Sequence, residues 1–241
     1  LRWLGAIISR FSECKRSGNL QPADRAVGAG PFHARLRAAR ARIVGPGVIS
    51  GIREIWVRDV YLHGGFLSIP PDAQVVDLGA NVGNFTMLAL GHGPDVRVIA
   101  VEPSQQCRQM LARQLEENGW STRVRVCDAF IGSRNAISDE LLSSPDFAQS
   151  RFISEQEFVD AYGISRIDFL KCDIEGSEFG LLTEQSQLLA RTQRLAMELH
   201  DHSGDRNAFI DMLKRNGFEV LVLRDSPTDC IVLARRKQAI A

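Results

Sequence analysis

From Ala73 to Ala234 the apolar residues fall in short runs separated by stretches of helical periodicity, a rhythm that predicts strands and helices alternating around one sheet. A first core strand is expected over about 74–78 and a helix from about 82, with Phe85, Leu88 and Ala89 on one face. A second strand follows over about 97–101. Ser104 reads as the N-cap of a helix carrying Cys107, Met110, Leu111 and Leu115, and Asn118-Gly119 as its stop. Next come a third strand over about 123–127, a less regular section, and a short helix over about 155–162. Ile167–Cys172 predicts a fourth strand, 178–189 a helix, Leu195–Met197 a fifth strand, and 205–216 a helix stopped by Gly217. Glu219–Leu223 and Cys230–Ala234 form a closing pair around a turn at 225–229. The pattern defines an α/β, Rossmann-like fold: a doubly wound, mostly parallel seven-stranded sheet with an antiparallel last strand. Ahead of it, residues 1–45 read as one or two basic helices broken near Gly18 and at Gly28-Ala-Gly30-Pro31. Residues 51–68 alternate as short strands would, at Ile55–Val57 and Val60–Leu62. The expected division is a basic helical leader over 1–50 and one domain over 51–241.

Composition narrows the class. With 241 residues, 44% of them apolar and 24% charged, the chain is long enough for one sizeable core. Its formal net charge is zero, so no overall field selects nucleic acid or membrane. Residues 1–45 nevertheless hold nine Lys and Arg against only Glu13 and Asp24. Such a run is most often a solvated helical arm, and it is also compatible with peripheral contact to an anionic partner or membrane surface. The five cysteines are scattered, without a C-x-x-C or Cys/His cluster, and read as reduced core thiols. No segment approaches the ~20 apolar residues of a membrane span. Leu1–Ile8 is too short, and too soon followed by basic residues, for a signal peptide. A cytoplasmic location is the expectation.

The chemistry concentrates in a few loops. Asp77-Leu-Gly79-Ala-Asn81-Val-Gly83 follows the first strand, and the second strand ends in Glu102-Pro103. A glycine loop with an acid at the next strand end is how a doubly wound sheet grips a nucleoside, the acid meeting the ribose hydroxyls. A dinucleotide fingerprint needs a glycine where Asn81 stands, to let a pyrophosphate approach. The spacing here resembles instead the S-adenosylmethionine (SAM) loop of class I methyltransferases. Asp128, after the third strand, is a candidate for the adenine amino group, and a plain turn-capping role suits it nearly as well. Asp173-Ile-Glu175-Gly176-Ser-Glu178 crowds carboxylates at a buried strand end, which is unfavourable unless they serve a cation or a proton transfer. Glu175 and Glu178 also suit a first helical turn. Glu198 and His200 share one face of the fifth strand, so His200 is a candidate base or acceptor-positioning group. Asp173, Glu198, His200 and His202 could be read as a metal set, but their spacing is not diagnostic.

Val76–Asn84, Val101-Glu-Pro103, Leu170–Glu178 and Glu198-Leu-His200, in this order and spacing, resemble the motif series of FkbM-type SAM-dependent methyltransferases over about 54–235. The resemblance implies a class I methyltransferase fold, SAM as cofactor with S-adenosylhomocysteine as product, and O-methylation of a sugar, glycolipid or natural-product hydroxyl. It carries the SAM role onto Asp77, Gly79, Ala80, Asn81, Gly83, Asn84, Phe85, Glu102 and Pro103, with Asp173 also within reach. Tyr61 sits where related enzymes often cover the cofactor. The catalytic neighbourhood falls on Asp173, Glu175 and His200. Cys172 stands where a branched aliphatic is more usual, and residues 1–50 match nothing in the family pattern. Two other readings stay open. One is a nucleic-acid methyltransferase guided by the basic leader, although no Asn-Pro-Pro-Tyr-type motif or aromatic-interleaved basic patch supports it. The other is a SAM-binding protein without turnover.

Overall fold

The computed structural model describes residues 30–45, 48–134, 136–225 and 229–237. The first ordered elements are strands, where the basic stretch had predicted helix. β1 (Phe32–Leu36) and β2 (Ala39–Ile43) form an antiparallel hairpin that turns at Arg37, whose φ is 51°. Ala39, Ala41 and Ile43 are buried while Arg40 and Arg42 point outward, the period of a half-buried strand. The Arg42 backbone bonds the Asn118 amide twice, its N–H donating at 2.9 Å and its carbonyl accepting at 2.7 Å. The basic hairpin is thereby docked on the domain. The expected break near Gly18 and the first half of the one at Gly28-Ala-Gly30-Pro31 lie outside the described residues, and Gly30-Pro31 leads directly into β1.

The second correction concerns residues 51–68. α1 (Val48–Gly51) runs on as a π-helix through Ile52–Val57, followed by a turn, and no strand forms there. Strand alternation would bury Val57 along with Ile55; instead Val57 is 73% exposed and Trp56 only 3%. The indole N–H of Trp56 donates to the Asn84 carbonyl at 3.3 Å, which seats this segment against the next helix.

The core follows the predicted rhythm. β3 (Gln74–Leu78), α2 (Asn84–Leu90), β4 (Arg97–Val101), α3 (Gln105–Asn118) and β5 (Val124–Cys127) come first. Ser104 caps α3 by accepting from the Cys107 N–H, and Gly119 ends it at φ 67°. The less regular section holds β6 (Ala129–Ile131), α4 (Ala136–Leu142) and β7 (Arg151–Ile153), with β6 and β7 paired in parallel. α5 (Glu155–Tyr162) starts in a capping box between Ser154 and Glu157. β8 (Phe169–Cys172) follows, and then the predicted helix over 178–189 appears as two short ones, α6 (Glu178–Leu181) and α7 (Gln187–Arg191). The break falls at Leu182, whose ψ of 74° is not helical, and Ser186 caps the new start. β9 (Arg194–His200), α8 (Arg206–Arg215), β10 (Phe218–Asp225) and β11 (Asp229–Arg236) complete the domain.

The seven-stranded sheet has the order β10-β11-β9-β8-β3-β4-β5, and β11 alone runs opposite in direction to the other six strands. Both faces are covered, so β3 is apolar on each side: Val75 packs into one cluster with Phe85 and Leu111, and Val76 and Leu78 into another with Phe158 and Leu182. The winding reverses between β3 and β8, where Asp77 is in register with Lys171 and Leu78 with Cys172. That reversal opens a crevice beyond the carboxyl ends of the central strands.

Candidate active site

The crevice is a cavity of about 640 Å³, within the range of small-molecule sites. Of the site residues singled out in the sequence, Gly79, Asn81, Glu102, Pro103, Asp173, Glu175 and His202 line it. Gly79 has a positive φ of 73°, and a Cβ there would lie 1.8 Å from the Asp173 carbonyl oxygen. A glycine is required because the loops after β3 and β8 touch at that point. The Gly79 and Ala80 N–H groups both donate to the Val101 carbonyl at 3.0 Å, tying the loop to the end of β4.

Glu102 is 6% exposed. Its Oε2 accepts from the Asn81 N–H and its Oε1 from the Ser104 N–H, each at 2.7 Å. Burial pushes the carboxyl up from its ordinary value, and those two N–H groups pull it back. Each oxygen keeps acceptor capacity toward the cavity.

Below the glycine loop lies a buried charge cluster. Lys171, 3% exposed, donates to the Gly79 carbonyl at 2.6 Å and the Leu78 carbonyl at 3.1 Å, and faces Asp77 at 3.5 Å and Asp173 at 3.6 Å. Burial disfavours its ammonium, but Asp173 and Asp77 outweigh that, and the group is raised above its ordinary value. Asp77 is wholly buried and accepts from the Thr86 hydroxyl at 2.6 Å. Tyr61 donates to Asp173 at 3.3 Å; burial first, then Asp173, pushes its phenol well above the ordinary value, so it remains a donor.

A second chain of charges runs to the rim. Glu178 is wholly buried, and its Oε1 accepts from the Ile174 N–H at 3.0 Å, the Gly176 N–H at 3.1 Å and His200 Nδ1 at 3.1 Å. His200 Nε2 faces Glu175 Oε2 at 3.5 Å. The hydrogen bond to Glu178 raises His200 to about 9 against the opposing effect of burial, with Glu175 and Asp173 adding to the rise. At neutral pH the protonated ring of His200 is therefore the favoured form. The raised folded value means that its stabilisation is fully present below the unfolded histidine value near 6.5 and is lost as pH rises through about 9. Melting temperatures of the protein and of His200→Gln, measured from pH 6 to 10, are expected to differ most at the acid end and to converge at the alkaline end.

The other residues marked in the sequence stand behind the cavity or away from it. Gly83 begins α2 at φ 92°, and a Cβ there would meet Leu111 Cδ1 at 2.6 Å. Asn84 is buried against Gly51 and Val48, and Phe85 packs between Tyr61 and Phe169 at ring separations of 5.6 and 5.4 Å. These two hold the loop and are not lining residues. Asp128 does not line the cavity; its exposed carboxylate faces Arg151 at 3.4 Å. Of the metal set considered from sequence, the described residues gather Asp173 and His200, joined by Glu175, with donor atoms within 4.8 Å of one another.

Sequence reasoning passed over Lys171 and an aromatic wall formed by Phe130, Phe147 and Phe152, and it marked Glu178 without its tie to His200. Phe130 stacks on Phe147 at 6.1 Å and on Phe152 at 4.9 Å. A lysine inside the apolar strand Phe169–Cys172 was the available signal, since an ammonium there must be paired.

A doubly wound sheet with strand order reversing at this crevice, a glycine loop on one side and a strand-end acid on the other, is the architecture of class I SAM methyltransferases. A model of the FkbM methyltransferase domain matches residues 77–220, and the chain belongs to that family. Among curated proteins it is similar to the AMB antimetabolite synthetase AmbE of Pseudomonas aeruginosa, with 28% identity over 72% of this chain and 11% of that protein. The chain thus spans about a tenth of the length of that relative. It is also similar to the methyltransferase sdnD of Sordaria araneosa, with 23% identity over 64% of this chain and 76% of that one. Among solved structures, a precorrin-6y C5,15-methyltransferase from Geobacter metallireducens aligns with TM-score 0.46 and 16% identity, covering 75% of this chain and 88% of that one. Fibrillarin of Aeropyrum pernix, in complex with SAM, aligns with TM-score 0.45 and 14% identity, covering 74% of each chain. No helix among the described residues is long and apolar enough to cross a membrane. Cys107, Cys127, Cys172 and Cys230 are free thiols; Cys14 lies outside the described residues.

Proposed function

We propose that this domain is a SAM-dependent O-methyltransferase acting on a hydroxyl of a sugar, glycolipid or natural-product acceptor. The observation that carries the reading is Glu102: a nearly buried carboxylate, anchored on both oxygens, faces a cavity whose lining includes no Lys or Arg among the described residues. A pyrophosphate would need cations or a glycine cradle; a nucleoside with a cationic tail needs neither. The residues fit that group. Glu102 would hold the ribose hydroxyls, Gly79 would leave room for the chain of the cofactor, and Asp173 would face its positive charge. Bound there, SAM supplies a sulfonium-activated methyl group. The protein's own part is to align the acceptor oxygen, to exclude water with the loops after β3 and β8, and to guide the hydroxyl proton at Asp173, which Tyr61 holds from behind, or its neighbours.

Calorimetry with S-adenosylhomocysteine and with NAD⁺, together with tritium transfer from methyl-labelled SAM to a panel of hydroxyl compounds, tests this. Binding of the first nucleoside only, with label appearing in an ether, is the expected result. NAD⁺ binding without S-adenosylhomocysteine binding would overturn the cofactor; label appearing only on nitrogen or carbon would overturn the O-methyl assignment.

A further inference from the structure

The cavity wall is strongly one-sided in charge. Glu102, Glu140, Asp146, Asp173 and Glu175 line it, His202 is the one histidine in the lining, and no Lys or Arg lines it among the described residues. Lys171 lies behind the wall, engaged by two carbonyls and by Asp77 and Asp173. Glu102 is anchored by two backbone N–H groups, and Asp146 by the Ser104 hydroxyl and the Gln106 N–H. Glu175 differs from both: its side chain is 76% exposed, and its backbone holds a φ of 54° that a non-glycine residue seldom adopts. It is held from behind. Buried Glu178 grips His200 Nδ1, and His200 Nε2 faces Glu175, so carboxylate, imidazole and carboxylate stand in a row that ends at the cavity.

We infer that Glu175, positioned by His200 and Glu178, receives the acceptor and selects an uncharged or cationic hydroxyl compound over a phosphorylated or carboxylated one. This rests on the methyl-transfer reading above. A carboxylate at the rim accepts a hydrogen bond from a hydroxyl or an ammonium and repels an anion, and the other carboxylates lining the cavity add to that repulsion. Glu175 is the acceptor-orienting group; His200 and Glu178 are positioning residues acting through it. The charged or titratable groups facing His200 are Glu178, Glu175 and Asp173, with the His202 ring at 5.9 Å.

The test uses the acceptor scaffold returned by the labelled-SAM panel, in neutral, amino, carboxylated and phosphorylated forms. The protein is expected to favour the first two by roughly tenfold or more in kcat/KM. Glu175→Gln, an exposed change that spares the fold, is expected to reduce that preference, the remaining carboxylates of the wall keeping part of it. His200→Gln is expected to raise the acceptor KM by more than it lowers kcat. The acceptor KM of the unmodified protein should also rise as pH passes about 9, a rise absent from His200→Gln. S-adenosylhomocysteine calorimetry on each variant separates the two readings. Intact cofactor binding with an anionic form preferred, or with the preference unchanged in Glu175→Gln, overturns this inference and leaves the cofactor reading standing. Failure of the unmodified protein to bind S-adenosylhomocysteine overturns both; intact binding with methylation of no hydroxyl compound overturns this inference and the O-methyl assignment and leaves the cofactor reading standing.

Discussion

Replacing Glu102 by alanine is expected to weaken S-adenosylhomocysteine binding by roughly a hundredfold or more, two charge-assisted hydrogen bonds being worth about 1.5–3 kcal/mol each before resolvation. The same substitution releases the Asn81 and Ser104 N–H groups, which now donate to the carboxylate at 2.7 Å, so the glycine loop loses an anchor along with the ligand. Glu102→Gln separates these effects. Its amide keeps the shape and one acceptor oxygen but must turn an NH₂ toward one of the two backbone donors. An intermediate loss of about tenfold is expected for that variant, since both charge-assisted bonds give way to weaker neutral ones while the shape is kept. Melting temperatures measured alongside show whether the fold persists. Unchanged affinity in Glu102→Ala would mean that the carboxylate does not meet the nucleoside, and the cofactor placement would have to be abandoned.

What the sequence made legible, and what it hid, follows from which physical signal dominates each segment. The strands β3, β4 and β8 are buried on both faces, so their near-continuous apolar runs could be read directly, and the acids that close them stood out against that background. Ser104 and Gly119 bounded α3 as local chemistry said they would. The hairpin at Phe32–Ile43 was hidden by composition: alanine and arginine favour helix locally, while the alternation of Ala39, Ala41 and Ile43 with Arg40 and Arg42 carries the opposite message. Tertiary burial decided in favour of the second. The π-helix near Trp56 failed for the converse reason, because a few branched residues mimicked alternation while one large indole determined which side went inward. At the site, proximity across the sheet was the missing information. Nothing in the one-dimensional pattern says that Glu178 reaches His200 across 22 positions, or that Lys171 stands opposite Asp77.

That lysine carries the largest expected effect on stability. Lys171→Met is expected to destabilise the protein by about 3–5 kcal/mol, the range for removing one partner of a buried ion pair. At this chain length the corresponding fall in melting temperature is roughly 10 °C. Methionine nearly matches the volume, so packing is not the cause; what is lost is the donor. The Gly79 and Leu78 carbonyls, now accepting at 2.6 and 3.1 Å, lose the Lys171 ammonium, and Asp77 is left wholly buried beside Asp173 with no counter-charge. Burial already raises Asp77 above the ordinary carboxyl value, and Lys171 is the main influence holding it down. Without Lys171 that carboxyl rises further. A folded value above the unfolded one contributes stability that is present at low pH and lost as pH rises, so the deficit should be greatest at neutral pH and shrink on mild acidification. Adding Asp77→Asn to Lys171→Met removes the stranded charge and is expected to recover part of the loss, giving a favourable coupling in the double-mutant cycle. Cofactor affinity is expected to fall in Lys171→Met even where the protein stays folded, because the ammonium fixes the carbonyls of the loop that lines the nucleoside site. A loss below about 1 kcal/mol, or a double variant no better than the single, would show that Lys171 is not what holds these two acids at the centre of the sheet.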